Sequence, residues 1–403
     1  MKAIRTSIFA LTAITAVGVI ASAFAEEAKP ETGKIDPESL TLPANVFRFR
    51  AIYGASWGDH GYDKDGKKTE TGVSVKGQGG AAVFEYGIAQ HLSGQFLMPF
   101  KTSTALKVSD ETKFATTVKN SSAFATARAD TLTKVTAAAP TAGALISGNT
   151  TAPLDITIPG LGTIKTGEKC GDAFDALVLA QAVPSAKQSQ VTDKKFATGL
   201  GDIEMGVKYN FSDFEHQMFE GVPVYFSLAT GLRFPTGSFE QAQKDGKVEN
   251  GRGTFDGAVR VNVDAKIIQG VVLSVENQSE MNLMKGKFYN GTKDVDFERT
   301  GVRQVGYGKL VIAPGAWIPA IDALSITPKY NYDFDSNTKI DGVKGDSALV
   351  PQSQSFTTSL GLSGFNYNVP VQFDLDYTMP LSGKNQTFAT SSIVGNLKLF
   401  YKF

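Results

Sequence analysis

The sequence predicts an all-β fold: a transmembrane, antiparallel, up-and-down β-barrel of about twelve strands, fourteen being the alternative, with one long insert. Three observations predict it. From Val46 onward, segment after segment alternates apolar and polar residues with a period of two, as strands do when one face meets lipid and the other water. After residue 25 no stretch is apolar over the roughly 20 residues that a spanning helix needs. The single cysteine, Cys170, cannot make an intramolecular disulfide, so stability has to come from strand closure.

Ahead of the barrel, Lys2 and Arg5 precede an apolar run, Ile8 to Ala21, and Ala23-Phe24-Ala25 gives an A-x-A cleavage site. Residues 1–25 are therefore expected to be a secretory signal peptide. Residues 26–43, polar with three prolines, read as a short periplasmic leader, and 44–403 as the barrel. An exported chain without a spanning helix and with barrel-type strands is expected in the outer membrane of a bacterium. Lys+Arg and Asp+Glu balance at 40 each, which gives no basic excess for nucleic acid. Hydrophobic content of 42% suffices for a barrel, because each strand needs only one apolar face.

The first strand, Val46 to Trp57, sets Phe47, Phe49, Tyr53 and Trp57 against Arg48 and Arg50. Two arginines on one face suit a wet lumen and not lipid. A charged loop, Asp59 to Glu70, leads to the second strand, where Phe84, Tyr86 and Ile88 oppose Glu85. After Gln90-His91 the third runs from Leu92 to Phe100.

Residues 101–197 break this rhythm. They are rich in Ala, Thr and Ser and read as a long loop, either extracellular or folded inward to restrict the pore, with an extra wall hairpin as the remaining option. Leu154 to Ile164 resembles a small hairpin, and Ala176 to Val183 a helical turn or two.

Alternation resumes at Gly199. The fourth strand opposes Ile203, Met205, Val207 and Tyr209 to Glu204 and Lys208; the fifth, Val222 to Pro235, places Arg233 opposite Phe234 and Leu232. The sixth, Thr254 to Lys266, sets valines against Asp256, Arg260 and Asp264, and the seventh, from Val271 to about Glu280, carries Glu276. The eighth, Val302 to Ala313, alternates poorly. Trp317 in the following turn is an expected interfacial anchor. The ninth, Leu324 to Phe334, opposes tyrosines to Lys329 and Asp333 but contains Pro328, which lacks a ladder donor. The tenth spans Phe356 to Gly364, and the eleventh opposes Phe373, Leu375 and Tyr377 to Asp374 and Asp376.

The last strand, Ile393 to Phe403, sets Leu397, Leu399, Tyr401 and Phe403 against Asn396, Lys398 and Lys402. This pattern looks like the C-terminal signal read by the bacterial barrel assembly machinery. That machinery is an expected partner, with outer-membrane lipid and lipopolysaccharide.

The inward faces carry the functional content. Arg48, Arg50, Glu85, Glu204, Lys208 and Arg233 are candidate pore-lining residues on the first five strands. Asp256, Arg260, Asp264 and Glu276 continue the set, and Lys329, Asp333, Asp374, Asp376 and Lys398 complete it. Two readings stand: a salt-bridged interior that stiffens the barrel, or a selectivity lining that orients a polar solute. His60, His91 and His216 fall in loops or turns, without the Ser or Asp spacing of a catalytic constellation. The Asp59–Asp65 stretch lacks a calcium-loop register. No catalytic residue, metal or cofactor is expected.

Three motifs carry a resemblance. Phe84-Glu85-Tyr86-Gly87-Ile88, Thr198-Gly199-Leu200-Gly201-Asp202-Ile203-Glu204, and Ala229-Thr230-Gly231-Leu232-Arg233-Phe234-Pro235-Thr236-Gly237 occur in the order seen in the outer-membrane family named after the meta-pathway of phenol degradation. The chain resembles that family over about residues 80–240, apart from the large 101–197 insert. The resemblance implies a porin-like channel or transporter for small, hydrophobic or aromatic compounds. The alternative is a structural or adhesive surface protein whose long insert is the functional part.

Overall fold

The structure, a computed structural model, describes residues 41–190, 199–211, 223–244, 251–289, 292–347, 350–367 and 369–402. The expected signal peptide, the leader up to residue 40, His216 and Phe403 lie outside the described residues. The chain divides into two compact units.

The larger unit is a closed barrel of twelve wall strands. In chain order these are β1 (Val46–Gly58), β2 (Val73–Ala89), β3 (Leu92–Val108), β4 (Ile203–Asn210), β5 (Val224–Phe234) and β6 (Phe255–Ile268). Then come β7 (Val271–Met284), β8 (Val302–Ile312), β9 (Leu324–Phe334), β10 (Gln352–Ser363), β11 (Val371–Lys384) and β12 (Ser391–Lys402). Each strand pairs antiparallel with the next, and β12 returns to β1 with Val46 opposite Lys402 and Trp57 opposite Ser391. No edge is left, as a membrane barrel requires, since unpaired backbone groups in hydrocarbon cost several kcal/mol each. Among the described residues no helix is long and apolar enough to cross a membrane.

The alternation seen in the sequence is realised as two faces. Tyr53, Val207, Val263, Leu273, Leu375 and Leu397 are exposed, whereas Arg48, Lys208, Asp264 and Glu276 on the opposite parity are buried. The exposed face is the lipid-facing belt. Aromatic rings gather near both rims: Tyr209, Phe211 and Phe226 at the end carrying Val46 and Lys402, with centroids 4.8 and 5.5 Å apart, and Phe234 against Phe255, 5.2 Å apart, at the distal end. Rings with one wet edge suit the membrane interface. Trp317 sits in a turn at the termini end and is half-exposed.

The two irregular strands have local causes. On β8 the inward parity carries Val305, Tyr307 and Val311 beside Arg303, while Gln304 faces outward. That mixture hides the period. Gln304 exchanges hydrogen bonds with Ser279 at 2.9 and 3.1 Å, and the Tyr332 hydroxyl donates to Asn277 at 2.6 Å. These outward polar groups satisfy one another, which lowers their cost in lipid. Pro328 lies within β9, and the pairing of β9 to β8 skips from Lys309–Lys329 to Ile312–Ile326 around it. The missing donor interrupts one ladder, and the β10 side stays continuous with Pro328 opposite Thr358.

The smaller unit corrects the expectation of a loop over 101–197. Among the described residues four helices form there: α1 (Glu111–Lys119), α2 (Ser122–Ala138), α3 (Pro140–Ser147) and α4 (Cys170–Gln190). A short ladder pairs Ile156–Ile158 with Gly162–Ile164. Asp110 and Ser121 cap α1 and α2 by accepting the backbone N–H of Lys113 and Phe124, satisfying donors that a helix start leaves orphaned. Phe124, Ile146, Ile158, Ile164, Cys170, Phe174 and Val178 form one buried core. The low aromatic content of the segment masked this, because α2 and α4 mix alanine with polar residues and have little amphipathic stripe to read.

Candidate functional site

The candidate site is the inner wall of the barrel. Every second residue of a strand points inward, so a charged residue on that parity is carried into the interior without any motif.

At the termini end, Arg48 and Arg50 of β1 lie beside Glu85 of β2. Arg48 Nε donates to Glu85 Oε2, and Arg50 Nη1 stands 3.8 Å from Glu85 Oε1. Arg50 Nε also donates to Asn396 Oδ1 at 3.5 Å, and the Arg48 guanidinium lies 5.6 Å from the centre of the Phe400 ring. All three charged side chains are at most 2% exposed. Lys398 of β12 pairs with Asp374 of β11 at 3.0 Å. Lys208 and Asp264 are fully buried. Asp376 is half-buried and enters none of these ion pairs.

At mid-height, Arg260 Nε donates to Gln278 Oε1 at 2.7 Å and stands 3.7 Å from Glu276. The Tyr307 hydroxyl donates to Glu276 at 3.3 Å, and the Lys329 ammonium lies 5.0 Å from the centre of the Tyr307 ring.

Toward the distal end a denser network forms. Arg233 of β5 contacts Glu204 at 2.7 Å, grips both oxygens of Glu280 at 2.9 and 3.1 Å, and stands 3.5 Å from Asp256. Arg303 of β8 reaches Glu280 at 2.9 Å and both oxygens of Asp333 at 2.8 and 2.6 Å. Forked contacts of this kind suit the planar guanidinium. Just past β9, Asp335 accepts from Arg252 at 3.0 Å, with Arg299 at 3.8 Å and Arg303 at 3.9 Å. Burial alone would raise the Asp335 carboxyl, but Arg252, Arg299 and Arg303 outweigh it and hold it well below the usual carboxylate range. Arg299 itself is pushed down to about 10 by burial and by the neighbouring Arg252.

The lowered Asp335 value has a stability consequence with a definite sign. A carboxyl depressed in the folded state contributes stability above its unfolded pKa of about 3.9, and loses it as pH falls toward the folded value. Asp335→Asn is expected to be less stable than the wild type at neutral pH, with the difference shrinking as pH is lowered below about 4. Urea midpoints of the folded barrel measured across that range check it; a pH-independent difference would show that Asp335 stays ionised in neither state or equally in both.

Between these clusters lies an inner-wall hollow of small residues, with Gly206, Gly231 and Ala258 in successive registers across β4, β5 and β6. A cavity of about 60 Å³ opens here, rimmed by Gln95, Leu97, Glu204, Arg233, Arg260 and Glu280 among others. Adjoining it the interior holds an aliphatic group: Ile52, Ala81, Val83, Leu97 and Val394, from β1, β2, β3 and β12, form a buried cluster. The inner wall thus sets an aliphatic cluster among charged groups, with Arg48, Arg50 and Glu85 on the same strands as Ile52 and Val83.

The sequence reading missed Glu280, Arg303, Arg252, Arg299 and Asp335. Glu280 continues the parity of Glu276 and Gln278 and stood at the end of the expected seventh strand, where it was passed over. Arg303 was hidden by the irregular period of β8. Arg252, Arg299 and Asp335 belong to connections outside the wall strands, where no periodicity marks an inward residue. Among the described residues no group of His, Cys, Asp and Glu is placed to hold a metal ion.

No family model and no curated protein matches the chain. Solved structures do. The COG4313 outer membrane channel from Pseudomonas putida F1 aligns over 91% of this chain and 100% of its own, at 11% identity and a TM-score of 0.56. The transport unit of the autotransporter AIDA-I from Escherichia coli covers 89% of this chain and 90% of its own, at 8% identity and a TM-score of 0.37. A TodX monoaromatic hydrocarbon channel mutant covers 90% and 91%, at 8% identity and a TM-score of 0.33. At such identities the first similarity speaks for the fold alone: this chain shares the architecture of an outer-membrane β-barrel.

Proposed function

We propose that the protein is an outer-membrane channel or transporter for small hydrophobic or aromatic compounds, of the kind carried by the family named after the meta-pathway of phenol degradation. The observation that carries the proposal is the aliphatic cluster set among the charged groups of the inner wall. The aliphatic cluster gives an apolar solute a surface to slide along, and the charged groups beside it fix polar substituents. The channel role of the Pseudomonas barrel of the same fold supports this reading, as do the three motifs noted above. In this proposal Arg48, Arg50, Glu85, Glu204, Lys208, Arg233, Asp256, Arg260, Asp264, Glu276, Lys329, Asp333, Asp374, Asp376 and Lys398 line the path, joined by Glu280 and Arg303. Leu397, Leu399, Tyr401 and Phe403 serve as the signal to the assembly machinery, and lipopolysaccharide surrounds the distal rim. The work is passage and not chemistry.

A second reading rests on the separate core of the helical unit, which suits a surface-binding element. Planar-bilayer conductance of the refolded protein, beside a copy lacking residues 111–190, decides between them. The proposal expects current through the full chain that is retained after the deletion. Absence of current from both would exclude an open aqueous path, and surface binding lost with the helices would favour the second reading.

A further inference from the structure

The chain entering β1 does something that its sequence does not announce. Asn45 adopts a left-handed conformation, with φ of 63°, and turns the preceding residues back across the inner face of β2. The Asn45 N–H donates to the Gly87 carbonyl at 2.9 Å, and the Val46 N–H to the Pro43 carbonyl at 3.1 Å. The Thr41 hydroxyl donates to the Gln90 carbonyl at 3.2 Å, and the Tyr86 hydroxyl to Asn45 Oδ1 at 3.0 Å. Leu42 is 1% exposed.

Gly87 is the seat. It shares the inward parity of Glu85, and a Cβ there would lie 1.8 Å from the Pro43 carbonyl oxygen, 2.6 Å from its carbon and 2.7 Å from the Leu42 carbonyl oxygen. These are backbone atoms, which cannot rotate aside as a side-chain tip does. Gly87 has no left-handed φ to explain it, so close backbone approach is the physical reason for a glycine here. It is also the glycine of the Glu85-Tyr86-Gly87-Ile88 motif.

We infer that Thr41–Asn45 is an internal clasp, seated on Gly87, that narrows the termini-end mouth of the barrel directly beneath the Arg48–Glu85 pair. The inference rests on the channel reading for its functional half and on the wall geometry for its structural half. Release of the clasp widens the mouth; its seating holds the narrow state.

The test is Gly87→Ala in the full chain, read by two independent measurements. A Leu42→Cys version, with and without Gly87→Ala, is treated with a bulky polyethylene-glycol maleimide; Cys170, fully buried, is controlled by the parent chain. Planar-bilayer conductance is recorded for Gly87→Ala beside wild type. The expected result is slow labelling of the introduced thiol when Gly87 is present, several-fold faster labelling with alanine, and a larger conductance for Gly87→Ala. Unchanged labelling overturns the clasp. Faster labelling with unchanged, nonzero conductance overturns its role at the mouth. Faster labelling with no current in any variant leaves the clasp standing and overturns the channel reading instead. If Gly87→Ala does not give the heat-modifiable band of a folded barrel, Leu42→Ser, which leaves the wall untouched, replaces it in the conductance measurement, where a larger conductance than wild type is expected and an unchanged, nonzero one overturns the clasp's role at the mouth.

Discussion

Arg303→Ala is expected to destabilise the barrel by about 3–5 kcal/mol, the range for breaking a buried ion pair from one side. The cost arises because Arg303 is 3% exposed and serves three carboxylates, Glu280, Asp333 and Asp335. Removing it leaves Asp333 short of its forked partner and shifts the whole load of Glu280 onto Arg233. Lost solvation, and not lost attraction, sets the size of the effect. Adding Asp333→Leu to an Arg303→Met background is expected to recover part of the loss, since a neutral packed pair removes the stranded charge. Urea unfolding in lipid vesicles, followed by tryptophan fluorescence, measures both. A cost below about 1 kcal/mol, the value of an exposed pair, would show that water fills this end of the lumen.

Glu85→Ala is expected to be comparably severe, about 3–5 kcal/mol, and to change selectivity as well. Glu85 is the carboxylate that both Arg48 and Arg50 contact, and the two guanidiniums are 2% and 1% exposed. Without it two buried cations of like sign face each other across adjacent inward positions of β1. Such a charge pair near a narrow mouth favours anions, so reversal potentials in a salt gradient are expected to move toward chloride. Glu85→Gln, which keeps the volume and one acceptor, is expected to show the selectivity shift with a smaller stability loss. A shift absent from both variants would remove this cluster from the permeation path.

The wall was legible because a barrel leaves its signature in every strand. Arg48 and Arg50 between Phe47, Phe49 and Tyr53, or Glu204 and Lys208 between Met205, Val207 and Tyr209, state their facing outright. Register was implied too: once one face is lipid and the other buried, a slip by one residue would expose every charge. What stayed hidden has two physical origins. One is local exception to the period, as on β8, where Tyr307 points inward to receive Lys329 and Gln304 points outward to bond Ser279. The other is structure held by long-range contact, such as the convergence of Arg252, Arg299 and Asp335 from three connections, or the backbone seat at Gly87. The helical unit belongs to a third case. Its alanine-rich helices are good helix formers with weak amphipathic contrast, so composition suggested a loop where capping residues such as Asp110 and Ser121 already marked starts.

The closure of β12 on β1 also bears on how the protein survives its own assembly. Until Val46 meets Lys402, the growing sheet ends in two bare strands of 13 and 12 residues, each with open N–H and C=O groups. Each has aromatic or aliphatic side chains along one flank, and such an edge is a template for the strand of any other chain. The entropic cost of joining ends so far apart grows only logarithmically with separation, so the danger is one of time and not of equilibrium. Pairings this distant in sequence form slowly, and two unfinished copies that touch during the delay would zip together edge to edge into fibrous aggregate. The surest defence is to keep one of those edges occupied by a surrogate strand until its own partner arrives.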